Sequence, residues 1–173
     1  MNEDALQDAH QCSKCGKLVE GAKVCFIDDT AFCPKCMYGD VEPFEIYPIG
    51  IVRSNLSRNL NKEFGLVGDP KEESRIELVP TQKAFMYKLE EEEYITVVYY
   101  LHKTKSPRSI FRRKIDLKEV GVFASRSPDR LSKIAVTDVR LIKIEDTTLY
   151  VEGLDAIDGS PVLDIKLQWK KGR

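Results

Sequence analysis

The chain has 173 residues, of which 42% are hydrophobic and 32% are charged, and its formal net charge is −1. This length allows one well-formed core together with a small second module, and the composition is typical of a globular protein. Because no stretch approaches the roughly 20 consecutive apolar residues of a membrane span, the sequence predicts no transmembrane segment.

The first residues indicate a cytoplasmic protein. Residues 1–11 contain Glu3, Asp4 and Asp8, and they lack the basic start and the apolar run of a secretory signal. We therefore expect a cytoplasmic location, in which cysteine thiols stay reduced and disulfides are not favoured.

Four cysteines near the N-terminus are spaced for one metal ion. They form two C-x2-C pairs separated by 17 residues, a spacing typical of a four-cysteine zinc site. Redox C-x-x-C motifs normally accompany a βαβ pattern, which is missing here, and four thiolates leave no open position for catalysis. We therefore expect a structural Zn²⁺ ion held by Cys12, Cys15, Cys33 and Cys36.

The segment between the cysteine pairs predicts a short hairpin. Residues 23–28 and 30–32 are its two strands, and Asp28–Asp29 is the turn between them. A segment this short cannot bury enough apolar surface to fold alone, so metal binding would supply its folding free energy. The sequence thus predicts a zinc-ribbon module over residues 1–44.

From residue 45 onward the pattern changes to short apolar runs separated by turn residues. Their β-branched and aromatic content is high, as in residues 94–101 (YITVVYYL). Short strands whose edges must be closed or covered favour an antiparallel barrel or a sandwich, so we expect a mostly β domain over residues 45–173. The predicted strands are 46–53, 75–79, 94–101, 120–125, 134–144, 147–153 and 162–169.

The connections between these strands offer few other elements. The sequence predicts hairpin turns at Glu145–Asp146 and Asp158–Gly159, and one helix over residues 83–93. It contains no G-x-G-x-x-G or G-x-x-x-x-G-K-[ST] phosphate loop and no G-x-S-x-G nucleophile elbow. The alternating strands and helices of a doubly wound methyltransferase are also missing. Any nucleotide cofactor must therefore bind to a less common architecture.

One segment concentrates positive charge. Residues 103–133 contain ten Lys or Arg residues against three acidic residues. Such a local field suits a polyanion. A solvated basic loop is the alternative interpretation of the same pattern.

Three segments carry a family resemblance. They are residues 47–54 (YPIGIVRS), 121–130 (GVFASRSPDR) and 154–166 (LDAIDGSPVLDIK), in this order. Together they resemble the TsaA-like family, also called YaeB-like or VirR-like, whose characterised members are TrmO-type tRNA methyltransferases. Residues 94–102, an apolar run that ends in His102, are similar to the family segment that ends in Phe-His.

The resemblance implies a small antiparallel β-barrel that binds S-adenosylmethionine outside the usual Rossmann scheme. It also implies methylation of the N6 atom of threonylcarbamoyladenosine, beside the anticodon of a tRNA, by a homodimer. The tRNA phosphates would then contact the basic residues Lys103, Lys105, Arg108, Arg112, Arg113 and Lys114.

The second motif contains residues suited to the carboxylate of this cofactor. An arginine can clamp a carboxylate with two hydrogen bonds, and Arg126 and Arg130 lie on either side of Pro128. We expect these two arginines, with Ser127 and Pro128 between them, to contribute to cofactor binding. Contact with phosphate or with solvent is the alternative role for the arginines.

The third motif contains residues suited to its hydroxyl and amino groups. Aspartates accept hydrogen bonds from such groups, which suggests Asp155, Asp158 and Asp164 as further cofactor-binding residues. Asp158 could instead serve only the turn. The acceptor nitrogen must lose a proton during methyl transfer, so a base is expected nearby. His102 and Asp155 are the candidates, and a structural role at a strand end is the alternative for His102.

Two other functions stay open at this point. After Arg130 the sequence departs from the family pattern, which permits a relative that binds S-adenosylmethionine but methylates a small molecule or a protein. A zinc-bearing adaptor without catalysis, whose barrel only docks a partner, is the other possibility.

Overall fold

The computed structural model describes residues 9–58, 66–67, 71–104, 107–113 and 116–168. Short strands dominate this part of the chain, and turns of 3-10 helix lie at Gly21–Lys23, Pro80–Met86, Leu89–Glu91 and Val122–Ala124. No helix among the described residues has the length and apolarity needed to span a bilayer. The strands and the α-helix are β1 (Ala9–Gln11), β2 (Leu18–Glu20), β3 (Cys25–Ile27), β4 (Thr30–Phe32), α1 (Pro34–Tyr38), β5 (Gly50–Arg53), β6 (Ser57–Arg58), β7 (Leu66–Val67), β8 (Glu73–Leu78), β9 (Tyr94–Tyr100), β10 (Ile110–Arg112), β11 (Glu119–Gly121), β12 (Ile134–Glu145), β13 (Thr148–Glu152) and β14 (Pro161–Leu167).

The chain forms two compact units. Residues 1–45 and 104–132 form the first, which we call the cysteine unit. Residues 46–103 and 133–173 form the second, which we call the barrel unit. The division into a ribbon over residues 1–44 and a domain over residues 45–173 stays a prediction about domain boundaries.

Six antiparallel strands close the barrel. Their order is β12-β13-β8-β5-β14-β9, and the sheet closes because β9 pairs with β12 on one side and with β14 on the other. β5 pairs with β8 and β14 in the same way. Closure leaves no strand edge of the sheet unpaired, and it confirms the prediction of a mostly β barrel.

The barrel interior follows from the two-residue period of its strands. In β9, Ile95, Val97 and Tyr99 are buried, whereas the side chains between them are half-buried. The same alternation buries Ile76 and Leu78 of β8. The core is completed by Val52, Met86, Val139, Leu141, Leu149, Val151, Leu154, Ala156 and Val162.

Gly50 lies where two barrel strands approach each other closely. A Cβ atom at this position would lie 2.6 Å from the backbone oxygen of Glu77 and 2.9 Å from Cα of Leu78. Both atoms belong to β8, which pairs with β5 at this point. The approach of the two backbones therefore requires a residue without a side chain.

Six of the seven predicted strands are the six strands of the barrel. The largest difference is at β5, which begins at Gly50 rather than at residue 46. The strand predicted over residues 120–125 is wrong beyond Gly121, because β11 ends there and residues 122–124 form a 3-10 turn. The last predicted strand reached residue 169, which lies outside the described residues.

The helix predicted over residues 83–93 is wrong. Two 3-10 helices occupy this stretch, and they are interrupted at Lys88, whose φ is 62°. An α-helix cannot continue through a left-handed residue. The run of glutamates at 90–93 also disfavours a helix, because like charges three residues apart repel each other.

Both predicted turns need correction. β12 and β13 form the predicted hairpin, but the turn is Asp146–Thr147, since Glu145 pairs with Thr148. Asp158–Gly159 is a turn that joins no hairpin, because β13 pairs with β12 and β8 while β14 pairs with β5 and β9. The segment between β13 and β14 is therefore a loop that connects two strands that are not neighbours.

The cysteine unit contains the predicted hairpin. β3 pairs with β4, and the turn residues Asp28 and Asp29 have φ angles of 48° and 60°, the left-handed pair typical of a type I′ turn. α1 begins at Pro34, directly after Cys33, whose sulfur accepts the N–H of Cys36 at 3.4 Å. In the same unit β1 pairs with β2, and β10 pairs with β11.

Candidate functional site

A carboxylate lies at the centre of a hydrogen-bonded group in the barrel unit. The hydroxyl of Tyr99 donates to Oδ1 of Asp155 at 2.6 Å, and Oγ1 of Thr137 donates to the same oxygen at 2.7 Å. Asp155 is exposed, and its Oδ2 atom has no hydrogen-bond partner among the described residues. One oxygen therefore fixes the carboxylate, and the other is available to a ligand.

The strand pattern explains why Tyr99 reaches this carboxylate. Tyr99 continues the inward row of β9 and is only 2% exposed. A buried tyrosine hydroxyl needs a hydrogen-bond partner. Burial raises the pKa of Tyr99, and the negative charge of Asp155 raises it further. The phenol thus stays protonated at neutral pH and serves as a donor, not as a base.

The loop that carries Asp155 is fastened to the region of β5. Oδ1 of Asp158 accepts the N–H of Ser54 at 3.2 Å, and Oγ of Ser54 donates to the carbonyl of Ala156 at 2.9 Å. The backbone N–H groups of Asp158 and Gly159 also donate to carbonyls in this region at 2.9 Å. Asp158 therefore helps to hold the loop in place, and its contact with a cofactor stays a prediction.

His102 follows β9 and contacts the same loop. Its Nδ1 atom lies 3.4 Å from Oγ of the fully buried Ser160, and Gly159, with a φ of 80°, leaves room beside Nε2. Burial lowers the pKa of His102, and the positive charge of Lys103 lowers it further. The imidazole is therefore neutral at neutral pH and can accept a proton.

Asp164 lies on β14 at a shift in its pairing with β9. Its Oδ1 atom accepts the N–H of Ile165 at 2.9 Å, and Oδ2 forms an ion pair with Lys166. Both contacts are local to the strand. Within the described residues, no hydrogen bond joins Asp164 to the group around Asp155.

The arginine motif lies in the cysteine unit. Arg130 donates from Nε to the carbonyl of Ser127 at 3.1 Å and from Nη2 to the carbonyl of Ser125 at 2.7 Å. Its guanidinium therefore holds its own loop. Pro128 and Arg126 are exposed, and Arg126 makes no hydrogen bond or ion pair with any described residue. Arg126 is thus the arginine of the motif that can bind an anion without first giving up a partner.

The predicted nucleic-acid-binding arginines differ in their contacts. Arg113 pairs with Asp116 through two hydrogen bonds, which lower the pKa of Asp116, and it donates a third to a backbone carbonyl at 3.2 Å. Arg112 donates from Nε to a backbone carbonyl at 2.9 Å. Arg108 is exposed, and its side chain has no partner among the described residues. Arg108 is the most accessible of the three to a phosphate.

The predicted site residues are divided between the two units. The cysteine unit contains Arg108, Arg112, Arg113, Arg126, Ser127, Pro128 and Arg130. The barrel unit contains His102, Lys103, Asp155, Asp158 and Asp164. Apart from the four predicted metal ligands, the remaining two residues, Lys105 and Lys114, lie outside the described residues.

The four predicted metal ligands lie together. All four sulfur atoms are within 4.8 Å of one another, and Sγ of Cys15 is 3.8 Å from Sγ of Cys33. A tetrahedral Zn²⁺ ion with Zn–S bonds of about 2.3 Å places its sulfurs about 3.8 Å apart. Cys12 and Cys33 are buried, with 1% and 8% exposed. The donor set and its dimensions therefore fit one tetrahedral ion.

The thiols of this cluster differ in their pKa values. A hydrogen bond from the backbone of Cys33 lowers the pKa of Cys12 to about 6. Hydrogen bonds with the sulfurs of Cys33 and Cys15 raise the pKa of Cys36 to about 12. The thiol of Cys12 therefore ionises easily and that of Cys36 only with difficulty, mainly because of these hydrogen bonds. A divalent cation favours the ionised form of every thiol that binds it.

The sequence reasoning missed Tyr99, Thr137 and Ser160. A signal existed for Tyr99, because the alternation of β9 places it in the core, where its hydroxyl must find a partner. No such signal exists for Thr137 and Ser160. Their contacts depend on the pairing of β12 with β9 and on the path of the loop after β13, which a single sequence does not specify.

The comparisons with known proteins agree on one family. Residues 65–171 match the family of the tRNA-methyltransferase O N-terminal domain. A probable S-adenosyl-L-methionine-binding protein of Methanothermobacter thermautotrophicus is 36% identical over 124 residues, which are 70% of this chain and 87% of the relative. The mouse tRNA (adenine(37)-N6)-methyltransferase is 36% identical over 81 residues, which are 45% of this chain and 19% of the relative.

The fold is also found among solved structures. The crystal structure of TrmO from Pseudomonas aeruginosa superposes with a TM-score of 0.56 at 25% sequence identity, covering 74% of this chain and 57% of that chain. A probable S-adenosyl-L-methionine-binding protein of Archaeoglobus fulgidus is 33% identical over 122 residues, which are 70% of this chain and 33% of the relative. The chain thus spans only a part of the length of several relatives.

Proposed function

The chain belongs to the tRNA-methyltransferase O N-terminal domain family, and from this membership we propose that it is an S-adenosylmethionine-dependent tRNA methyltransferase. The observation that carries the proposal is the match over residues 65–171, which include every strand of the barrel except β5. Relatives named as S-adenosylmethionine-binding proteins match over 69% and 70% of the chain.

The residues of the barrel unit fit part of this cofactor. Oδ2 of Asp155 can accept a hydrogen bond from a ribose hydroxyl or an amino group, while Oδ1 is fixed by Tyr99 and Thr137. Asp158 holds the loop on which Asp155 lies, and we assign it a positioning role. Asp164 stays a proposed contact, in competition with its ion pair to Lys166.

The cysteine unit contains one residue suited to an anion. The free guanidinium of Arg126 suits a carboxylate or a phosphate, and Arg130, Ser127 and Pro128 shape the loop that presents it. We propose that Arg126 binds an anion of the cofactor or of the tRNA. Its effect can be measured separately from that of Asp155, because the two residues lie in different units.

His102 is the proposed base. When bound, the cofactor supplies a methyl group on a positively charged sulfur, so the protein must mainly position the acceptor and remove its proton. In the tautomer whose Nδ1–H donates to Ser160, the Nε2 lone pair of His102 is free to accept that proton. Tyr99 is unsuited to this role, because its pKa is raised.

We propose adenosine beside the tRNA anticodon as the acceptor, and N6-threonylcarbamoyladenosine as its specific form. The tRNA phosphates would contact Arg108 and Lys103, which are exposed. We also propose that the four cysteines hold a structural Zn²⁺ ion, which elemental analysis would detect at one per chain. The homodimer and the cytoplasmic location stay predictions.

Calorimetry with S-adenosylmethionine tests the cofactor, and Asp155→Asn is the informative variant. The amide keeps an acceptor for Tyr99 and Thr137 but removes the charge, so we expect binding about tenfold weaker. Asp146→Asn is the matched control, since it makes the same change on an exposed turn of the same unit. Equal affinity for all three proteins would remove Asp155 from the site.

Mass spectrometry of nucleosides tests the substrate. We expect a methyl group on N6-threonylcarbamoyladenosine when tRNA carrying this base is incubated with the protein and the cofactor. Methylation only of unmodified adenosine would correct the acceptor. Cofactor binding without tRNA binding would favour a small-molecule or protein methyltransferase, and the absence of cofactor binding would favour the zinc-bearing adaptor.

A further inference from the structure

The tip of the cysteine hairpin is joined to a distant segment of the same unit. Asp28, the first turn residue between β3 and β4, accepts the N–H of Ser109 at Oδ1 at 3.1 Å and the hydroxyl of Ser109 at Oδ2. The N–H of Asp28 donates to the carbonyl of Pro107 at 3.0 Å. Three hydrogen bonds therefore connect residues that are about 80 positions apart in the sequence.

The segment held in this way supports the arginine motif. The carbonyl of Ser109 accepts the N–H of Val122 at 3.0 Å, and the N–H of Arg108 donates to the carbonyl of Asp129 at 2.9 Å. Ile110 then pairs with Gly121 as β10 and β11 begin their ladder. Residues 107–109 thus lie between the hairpin tip on one side and the loop of the arginine motif on the other.

The two accessible arginines belong to this arrangement. Arg108 lies between the two residues that Asp28 holds, and Arg126 lies on the loop fastened to them. The side chains of both arginines are exposed and have no partner among the described residues. The hairpin strands β3 and β4 have only three residues each. Because so short a hairpin buries little apolar surface, we expect its shape to depend on metal binding by the four cysteines.

We propose that the metal-bound cysteine hairpin positions Arg108 and Arg126 for the polyanionic substrate, and that Asp28 is the residue that couples the two. This inference rests on the proposed function for its substrate, tRNA. It assigns the metal a positioning role in recognition, in addition to holding the hairpin together. Asp28 itself, being an acid, repels phosphate and acts only through the segment that it holds.

Asp28→Gly and its neighbour Asp29→Gly test this role in the full-length protein. Glycine accepts the positive φ of both positions, so each variant keeps the turn and removes one negative charge. Asp29 makes no hydrogen bond or ion pair with a described residue, which makes it the matched control. If only the negative charge of each aspartate affected binding, the two variants would have the same affinity for tRNA. Both would bind it at least as tightly as the wild type.

The positioning role predicts a different result. Fluorescence anisotropy at fixed salt should show tRNA binding about tenfold weaker for Asp28→Gly, the loss expected from a charged hydrogen-bond acceptor, and no weakening for Asp29→Gly. The zinc content of both variants should equal that of the wild type. Equal tRNA affinity for the two variants would overturn the proposal.

Hydrogen exchange separates this inference from the proposed function. Removing the metal with a chelator should increase exchange at the amide of Ser109 and along residues 119–130, and Asp28→Gly should do the same with the metal present. If the wild type does not bind tRNA but shows this response, the proposed substrate is wrong and the coupling is correct. Unchanged exchange in both experiments would show that the coupling does not exist.

Discussion

The hydrogen bond between Tyr99 and Asp155 gives a prediction whose size can be worked out from the structure. Tyr99→Phe keeps the buried ring in the core and removes only the hydroxyl. A hydrogen bond to a charged group contributes about 1.5–3 kcal/mol. Asp155 is exposed and keeps Thr137 as a donor at 2.7 Å, so water can replace the lost donor, and we expect the loss to be smaller, about 1 kcal/mol.

Urea unfolding measures this loss directly. For a chain of this size, about 1 kcal/mol corresponds to a fall in Tm of about 3 °C. Tyr100→Phe is the matched control, because Tyr100 is the next residue of β9, is 36% exposed, and its hydroxyl has no partner among the described residues. We expect no measurable change in the control.

The same variant tests the site. With one of its two donors removed, Asp155 samples more orientations, so calorimetry should show binding of S-adenosylmethionine weakened about threefold to tenfold. The reasoning is refuted if Tyr99→Phe and Tyr100→Phe have the same stability and the same cofactor affinity. A loss above about 4 kcal/mol would also refute it, because it would require a disturbed core rather than one missing hydrogen bond.

Three further predictions follow from other parts of the structure. Cys33→Ser should abolish zinc binding, measured by elemental analysis, and a protein that retains one zinc per chain would contradict the four-cysteine site. The pKa of His102 is lowered from 6.5, so the folded state should keep its full stability above this pH and lose part of it as the pH falls through the folded pKa. His102→Gln should remove that dependence in urea unfolding between pH 7.5 and 5, and an unchanged slope would assign the loss to another group. Gly50→Ala should destabilise the protein by about 1–3 kcal/mol, because its Cβ would lie 2.6 Å from a backbone oxygen, and a near-wild-type Tm would show that β5 can move away from β8.

The barrel could be predicted where strand character is continuous, as in residues 94–101. β-branched and aromatic residues are dense there, and the structure has β9 at nearly the same bounds. The helix over residues 83–93 failed for a local reason. Most of its residue types are individually good helix formers, but Lys88 adopts a left-handed conformation that residue type does not reveal.

The metal site could be predicted better than the rest of the site. Two C-x2-C pairs bring their ligands together through local turns, so their spacing alone is informative. The pairing of Asp155 with Tyr99 and Thr137 depends on three separate elements of the barrel. The contact of Asp28 with Ser109 joins residues from the two chain segments of the cysteine unit. Such contacts are set by tertiary structure, which the spacing of residues in one sequence does not encode.

Residues 104–132 lie in the sequence between β9 and β12 of the barrel. The N–H of Leu101 donates to the carbonyl of Lys133 at 2.8 Å, at the point where β9 and β12 begin their ladder. The residues that flank this segment are therefore held together by the pairing of β9 with β12, independently of the sequence between them. Because doubling the length of such a loop costs only about 0.6 kcal/mol in closure entropy, its sequence and length can diverge while the barrel stays intact. Evolution can thus change this segment without rebuilding the core of the barrel.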